Sequence, residues 1–295
     1  MPDFGGVAPL ITELAAMRAE FGEGPAYIPE SDEVVWVDIP AGAIHRTHAA
    51  TGATRSVTLK PPVSGAWPAS GGELVVAAGS EILRIGVTGR TTRVLQLTQS
   101  SARANDGAVD RDGRLWVGTM PLPADGSRTG ELWRISLAGI AERMDDDLAL
   151  PNGMGWSPDG KRFYLVDSLA RRIYVYSIID DVLGTRETFV NFDDVGGIPD
   201  GMAVDEEGCL WVVVAETASM CRYDPDAVLL AEMRLPVARP TSCAFGGLAL
   251  DELYVTTATE NSAAESCETL GGKLLRTQPG VRGLPVTAVN TSKWK

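Results

Sequence analysis

Oxygen-bearing side chains recur at one position of a repeated pattern. Asn105, Asn152 and Asp200 each lie eight residues before a turn glycine that is followed by an apolar strand, and Glu23 holds the same place in a fourth copy. Because a structural repeat brings equivalent residues to its axis, we expect these four side chains to converge. Carboxylate and amide oxygens suit a hard divalent cation such as Ca²⁺, Mg²⁺ or Mn²⁺. A single Asn-Gly or Asp-Gly pair indicates only a turn, but turn chemistry does not explain Glu23.

Composition narrows the function classes. The chain has 295 residues, 44% hydrophobic content and a net charge of −13. This length and apolar content allow a large core, and the acidic balance disfavours nucleic acid or an anionic membrane as partner. No apolar run approaches the length of a transmembrane helix. The first residues lack the basic and apolar regions of a signal peptide, so the expected location is the cytoplasm.

Several familiar catalytic and metal-binding patterns are missing from the sequence. The only histidines, His45 and His48, fall in a loop-like run, which disfavours zinc held by several histidines and a Ser-His-Asp triad. Four cysteines are too few for a disulfide framework, and reduced thiols are expected. Asp110-Arg111-Asp112-Gly113 begins like a calcium loop, but Pro121 replaces the required glutamate, so a hairpin turn is predicted.

Strand-like cores repeat along the chain with the period of a propeller blade. They recur every 39 to 48 residues, around Trp36, Val75, Trp116, Tyr164, Trp211 and Tyr254. Short runs rich in Val, Ile, Tyr and Trp, separated by Gly, Asp and Pro, are typical of strands and turns. The sequence therefore predicts an all-β fold, a six-bladed β-propeller that forms a single domain over residues 1–295.

The first strand of each blade lines the channel of a propeller, so the polar positions are expected to form a metal site in the central channel. Units two and six offer Val63 or Ser64 and Thr241 or Ser242 there, which leaves the ring of ligands incomplete. The segment of about residues 1–20 is expected to close or cap the ring. Its stretch from Ala8 to Phe21 fits either a helix or a strand added to the last blade.

The motifs around these positions resemble the SMP-30/gluconolactonase/regucalcin family over about residues 20–275. They are Glu23-Gly24-Pro25, Arg103-Ala104-Asn105-Asp106-Gly107, Leu150-Pro151-Asn152-Gly153, Pro199-Asp200-Gly201-Met202 and Arg239-Pro240-Thr241-Ser242-Cys243-Ala244-Phe245-Gly246-Gly247. The resemblance implies a six-bladed propeller with a divalent metal in its channel, and many members hydrolyse sugar lactones. It implies that Glu23, Asn152 and Asp200 are the metal ligands and that Arg103 and Asn105 hold the substrate.

One stretch departs from the family pattern. After Met120 the animal members carry an acidic stretch whose glutamate contacts the sugar, whereas this chain has Pro121-Leu122-Pro123-Ala124-Asp125. That contact cannot be transferred to this chain, so the choice of substrate stays open.

The expected activity is a metal-dependent hydrolysis of a sugar lactone to its aldonic acid. The cofactor is one divalent cation, Ca²⁺, Mg²⁺, Mn²⁺ or Zn²⁺, and Asp200 is the candidate general base or water-orienting group. Arg103 is suited to bind an oxyanion or a sugar oxygen. Two alternatives remain, a metal-dependent esterase or organophosphate hydrolase and a calcium-binding regulatory protein without turnover.

Overall fold

Six antiparallel sheets make up the protein. The computed structural model describes residues 9–98, 101–193, 195–259 and 270–294. Five sheets follow the chain order and the sixth combines strands from the two ends of the sequence. This arrangement confirms the predicted six-bladed propeller, and the strand cores predicted from the sequence lie in the second strand of each blade.

The first three blades use consecutive strands, each blade running from an inner to an outer strand. Blade 1 contains β2 (Gly22–Ile28), β3 (Glu33–Asp38), β4 (Ala43–His48) and β5 (Thr54–Thr58). Blade 2 contains β6 (Val63–Ala69), β7 (Glu73–Ala78), β8 (Glu81–Ile85) and β9 (Thr91–Gln96). Blade 3 contains β10 (Ala102–Val109), β11 (Leu115–Pro121), β12 (Gly130–Ile135) and β13 (Ala141–Leu148).

The other three blades repeat this plan with small changes. Blade 4 contains β14 (Pro151–Trp156), β15 (Arg162–Asp167), β16 (Arg172–Ile179), β17 (Val182–Leu183) and β18 (Glu187–Asn191). Blade 5 contains β19 (Ile198–Val204), β20 (Leu210–Ala215), β21 (Ser219–Tyr223) and β22 (Leu229–Arg234). Blade 6 contains β23 (Pro240–Gly246), β24 (Glu252–Thr257), β25 (Leu275–Thr277) and β1 (Thr12–Glu13). Two 3₁₀ turns, Pro29–Ser31 and Ser70–Gly72, join the first two strands of blades 1 and 2.

The first strands of the six blades form a closed ring, in which each contacts the first strand of the blade before and after it. Their side chains therefore line a common central channel. Neighbouring blades pack through apolar clusters; one of them joins Val75 of blade 2 to Val117 of blade 3. Burial of this apolar surface on both faces of every blade stabilises the ring.

The amino-terminal segment closes the ring as a strand. Thr12 and Glu13 pair with Arg276 and Leu275 at the outer edge of blade 6. Residues 9–21 contain no helix, and the strand among them is Thr12–Glu13. A two-residue strand suffices because it adds to a sheet whose other strands are already paired.

Aspartates at the hairpin turns fix the second strands. The Asp110 carboxylate accepts hydrogen bonds from the backbone N–H of Asp112 at 3.0 Å and from the indole N–H of Trp116 at 2.9 Å. Asp205 does the same in blade 5 for the indole of Trp211, also at 2.9 Å. The hairpin predicted for Asp110-Arg111-Asp112-Gly113 is therefore confirmed.

The segment after β25 crosses the channel at the end of the first strands. It forms isolated bridges from Gly283 to Asp205 in blade 5 and from Val289 to Ala69 in blade 2. Residues 284–287, between these bridges, line a cavity of about 570 Å³ together with the ends of the first strands. We call this side of the channel the far end.

The histidines and three of the cysteines lie in strands or buried positions of the blades. His45 and His48 lie in β4 and not in a loop, because the run after the first turn continues the blade 1 sheet. Cys209, Cys221 and Cys243 are buried free thiols, whereas Cys267 lies outside the described residues. No helix within the described ranges is long and apolar enough to cross a membrane.

Candidate functional site

Every first strand has a β-bulge near its first residues, and the six bulges lie at the same end of the channel. In blades 3, 4 and 5 two residues of the first strand face one residue of the second, and these bulges hold Asn105 and Asp106, Asn152, and Asp200. In blades 2 and 6 the bulge is a single residue, Ser64 or Thr241. A bulge bends its strand and redirects the side chains it carries. We call this side of the channel the carboxylate end.

Glu23 reaches the same place with a different register. It pairs with Val37 as the last residue before the bulge of β2, and pairing resumes at Ala26. The distance to the turn predicts that Glu23 is equivalent to Asn152 and Asp200. In the strand pairing, however, Glu23 lies one residue before the equivalent position. Glu23 is nevertheless buried at the carboxylate end, with 6% exposure.

The glycines that follow Asn152 and Asp200 allow neighbouring first strands to approach closely. A Cβ atom on Gly153 would lie 2.4 Å from the backbone nitrogen of Met202 in the next blade. On Gly201 it would lie 2.5 Å from the Cα atom of Ser242. These contacts have no room for a side chain, so glycine is required by packing at both positions.

Amide groups connect the bulges of neighbouring blades. The Asn152 side-chain N–H₂ donates to the Asp200 carboxylate and to the Ser168 hydroxyl, the latter at 3.1 Å. The Asn105 amide donates to the carbonyl oxygen of Pro151 at 3.1 Å. Each amide uses its N–H₂ group within the protein, which leaves its carbonyl oxygen available to a cation or a hydroxyl.

Three carboxyl groups face one another at the carboxylate end. Burial, followed by the charges of Asp200 and Asp106, raises the pKa of Glu23 well above its ordinary value. Burial and the Asp106 charge raise the pKa of Asp200 to about 8, although the Asn152 amide and Arg239 oppose the shift. Burial raises the pKa of Asp106 to about 6. Asp200 keeps some exposure to the channel, but the channel walls still remove it from bulk water.

Two arginines carry the positive charge of this region. Arg103 is half-buried; its guanidinium donates to the backbone oxygen of Ala104 at 2.8 Å, and burial lowers its pKa while the charge of Glu23 opposes that shift. Arg239 is also half-buried and acts electrostatically on Asp200. The structure thus brings the predicted residues Glu23, Asn105, Asn152, Asp200 and Arg103 to one end of the channel.

Asp106 is the residue that sequence reasoning missed. It is buried, with 8% exposure, and its carboxylate accepts a hydrogen bond from the Gly107 N–H at 2.7 Å. The signal was available, since Asp106 follows Asn105 directly in the quoted motif. A bulge of two residues exposes both to the channel, whereas simple strand alternation would have turned one of them away.

The donor set fits a hard divalent cation. Within the described residues no group of three or more His, Cys, Asp or Glu side chains is already arranged as a metal site. Burial raises the pKa values of Glu23, Asp106 and Asp200, the charges of Asp200 and Asp106 raise that of Glu23 further, and the charge of Asp106 raises that of Asp200. Buried carboxylates of this kind need a compensating charge, and an amide oxygen from Asn152 would complement them as a ligand.

The segment that replaces the acidic stretch after Met120 does not supply a carboxylate to this cluster. Asp125 is exposed and accepts a hydrogen bond from the backbone N–H of Ser127 at 2.9 Å, within its own loop. Leu122 is 48% exposed. The contact that could not be transferred from the sequence therefore has no carboxylate replacement among residues 121–129.

Known proteins resemble this chain over nearly all of its length. A pentonolactonase from Haloferax volcanii is 34% identical over 285 residues, covering 93% of this chain and 96% of the relative. A 6-deoxy-6-sulfogluconolactonase from Pseudomonas putida is 33% identical over 269 residues, covering 89% and 92%. The crystal structure of a calcium-binding protein, regucalcin, from Agrobacterium tumefaciens superposes with a TM-score of 0.89 at 25% identity, covering 96% and 97%.

A family profile also matches this chain. The profile described as SMP-30/gluconolactonase/LRE-like region matches residues 21–259, a span that begins just before Glu23 and ends after the last channel strand. This span includes every residue of the carboxylate end described above. The chain belongs to the SMP-30/gluconolactonase/LRE-like family.

Proposed function

We propose that the protein is a divalent-metal-dependent lactonase that opens a sugar lactone to its aldonic acid. The observation that carries the proposal is the set of buried carboxylates at the carboxylate end, flanked by an amide and two guanidinium groups. Two relatives that cover about nine-tenths of the chain or more are named as sugar lactonases. Their names support hydrolysis of a lactone, and the site residues supply the means.

Glu23, Asn152 and Asp200 are the proposed ligands of the cation. Asn152 and Asp200 lie on bulges of neighbouring blades, and Glu23 approaches from blade 1. A bound divalent cation would polarise the lactone carbonyl as a Lewis acid. The hydrogen bonds of the Asn152 amide to Asp200 and Ser168 hold these ligands in place before the cation arrives.

Arg103 and Asn105 are the proposed substrate-holding residues. They lie two residues apart on β10, and each already has one donor fixed on a backbone oxygen. The remaining guanidinium donors of Arg103 can bind the oxygen on which negative charge develops when water adds to the carbonyl. The Asn105 carbonyl oxygen can accept a hydrogen bond from a sugar hydroxyl.

Asp200 is the proposed group that orients the attacking water. Its carboxylate is held by Asn152 and retains exposure to the channel, so a water molecule can reach it. The water proton passes to the carboxylate as the bond between the water oxygen and the carbonyl carbon forms. The carboxylate then returns this proton to the ring oxygen as the ester C–O bond breaks. The product is an open-chain hydroxy acid.

The alternatives predict different behaviour. An esterase or organophosphate hydrolase would use the same cation with another electrophile, and a regulatory calcium binder would show no turnover. Regucalcin from Agrobacterium tumefaciens is described as calcium-binding, which supports the cation. Arg103 favours an enzyme, because ion binding alone requires no guanidinium beside three carboxylates.

The test is Arg103→Ala, assayed for hydrolysis of a panel of aldonolactones and for divalent-cation affinity by calorimetry. We expect kcat/KM to fall by about 2–4 kcal/mol in transition-state free energy while cation affinity stays nearly intact. Arg103→Lys should recover only part of the rate. The matched control is Arg90→Ala, an exposed arginine in the turn after β8.

Three outcomes would contradict the proposal. Absence of lactone hydrolysis by the cation-loaded wild type would favour the regulatory alternative, and faster hydrolysis of esters or phosphotriesters would favour the second enzyme class. Equal loss of rate and cation affinity in Arg103→Ala would instead assign Arg103 to maintaining the metal ligands.

A further inference from the structure

Arg103 and Arg239 occupy equivalent positions on opposite blades. Arg103 directly precedes Ala104, the last paired residue before the bulge of blade 3. Arg239 directly precedes Pro240, the last paired residue before the bulge of blade 6. In a closed ring of six blades, the third and the sixth are diametrically opposed. The two arginines therefore lie on opposite sides of the channel, with the carboxylate end between them.

Two contacts hold the Arg239 guanidinium in place. Its Cζ atom lies 5.2 Å from the ring centre of Phe21, and Nη1 donates to the carbonyl oxygen of Thr259 at 3.0 Å. Of the carboxylates that the structure describes, none forms a salt bridge with it. Stacking on an aromatic ring and one backbone hydrogen bond fix the plane of the group. Its other donors have no hydrogen-bond partner among the residues that the structure describes.

Arg239 makes the expected net charge of the site positive. With the proposed divalent cation bound, three ionised carboxylates, the cation and Arg103 would together have no net charge. Arg239 adds one positive charge, and it does so on the side opposite to the proposed carbonyl-binding group. If the lactone carbonyl binds beside Arg103, the substituent at the opposite end of the lactone points across the channel toward Arg239.

We infer that Arg239 is a specificity residue that selects sugar lactones carrying an anionic substituent, a phosphate or a carboxylate, at the end away from the lactone carbonyl. This inference rests on the proposed lactonase function and adds its substrate class. The guanidinium fork binds either anion through paired N–H donors, whereas a neutral hydroxyl accepts only one of them.

The experiment compares matched substrates in wild type and Arg239→Gln. D-Gluconolactone and 6-phosphogluconolactone differ only in the distal phosphate, and D-glucarolactone carries a distal carboxylate. Wild type should prefer the anionic lactones. Arg239→Gln should reduce kcat/KM for them by about 10- to 100-fold, mainly through KM, since a charge-assisted hydrogen bond is removed. Hydrolysis of D-gluconolactone should fall by a clearly smaller factor, because its distal hydroxyl carries no charge.

Two further variants sharpen the result. Arg239→Lys should retain part of the preference because the charge remains while the planar fork is lost. Arg234→Gln is the matched control, since Arg234 ends β22 and its side chain is 70% exposed. A loss confined to 6-phosphogluconolactone would assign a phosphate, and equal losses with D-glucarolactone would assign anions in general. Equal losses for anionic and neutral lactones, or no loss at all, would overturn the inference.

Binding of the product acids provides a readout that does not depend on turnover. Calorimetry should show that wild type binds 6-phosphogluconate more tightly than gluconate and that Arg239→Gln removes this difference. If no lactone is hydrolysed but the binding difference depends on Arg239, the proposed function fails and the anion site stands. If lactones are hydrolysed without any anion preference, the function stands and the anion site fails.

Discussion

The first strands of blades 4 and 5 are bulged like those of blades 2 and 6, but the side chains at their bulges differ in chemistry. All four first strands carry one extra residue at the carboxylate end. In blades 4 and 5 the bulge is Asn152-Gly153 or Asp200-Gly201, whereas in blades 2 and 6 it is the hydroxyl-bearing residue Ser64 or Thr241. The bulge therefore occurs whichever side chain it carries. The type of that side chain distinguishes the blades that supply proposed cation ligands from those that do not.

The largest expected effect comes from the charged bulge. Asp200→Asn keeps the shape of the side chain but removes the negative charge that the proposed cation would bind. We expect a loss of lactone hydrolysis on the order of 100-fold or more and a marked loss of divalent-cation affinity. Ser64→Ala on blade 2 is the matched control and should change either quantity less than about threefold. Unchanged calorimetric binding in Asp200→Asn would refute the assignment of Asp200 as a ligand.

The second effect tests the close approach of blades 5 and 6. Gly201→Ala places a Cβ atom 2.5 Å from the Cα atom of Ser242, so one strand must move. We expect a loss of about 3 kcal/mol in the free energy of unfolding, measured by denaturant titration. Gly86→Ala is the control, because its nearest neighbour would be a side-chain oxygen at 3.7 Å. Similar stabilities for the two variants would show that the contact can relax.

The third effect is the pH dependence of the metal-free protein. Because folding raises the pKa values of Glu23 and Asp106, and that of Asp200 to about 8, the folded state binds more protons than the unfolded state. Stability should therefore decrease as pH rises from about 4 to 8. A divalent cation should reverse this trend by binding the ionised carboxylates.

Asp200→Asn distinguishes this cluster from the general repulsion of an acidic protein. The variant retains nearly all of the surface charge, so its melting temperature should fall less with pH than that of wild type. Identical slopes for the two proteins would attribute the pH dependence to surface charge.

The smallest effect concerns the hydroxyl bulges. The Thr241 hydroxyl hydrogen-bonds to the carbonyl oxygen of Gly22 at 2.6 Å and to the Thr256 hydroxyl at 2.9 Å. The buried Ser64 hydroxyl has no partner among the described residues. Thr241→Val should therefore cost about 1 kcal/mol of stability, and Ser64→Ala almost nothing. Thermal melts of both variants test this ranking, and a larger loss in Ser64→Ala would reverse it.

The sequence predicted the fold well because blade periodicity is a local pattern. Turn residues and apolar runs recur once per blade, so the second strands around Trp36 and Trp211 could be placed without knowing any long-range contact. The site was predicted from the same register, and Asp200 and Asn152 do meet. Asp106 was missed because its exposure to the channel depends on a bulge. The Phe21–Arg239 contact depends on how two blades pack against each other, and a local sequence pattern cannot predict such packing.

Ring closure by β1 also determines when the site can exist during synthesis. Thr12 pairs with Arg276, 264 residues later in the chain, so blade 6 stays incomplete until almost the whole protein has been made. Contacts between distant parts of a chain form late in folding because the long loop between them must first be ordered. Glu23 is synthesised before Asn152 and Asp200, so the three residues cannot come together until the later blades have been made. Binding of the proposed cation would accordingly be a late event in the maturation of the chain.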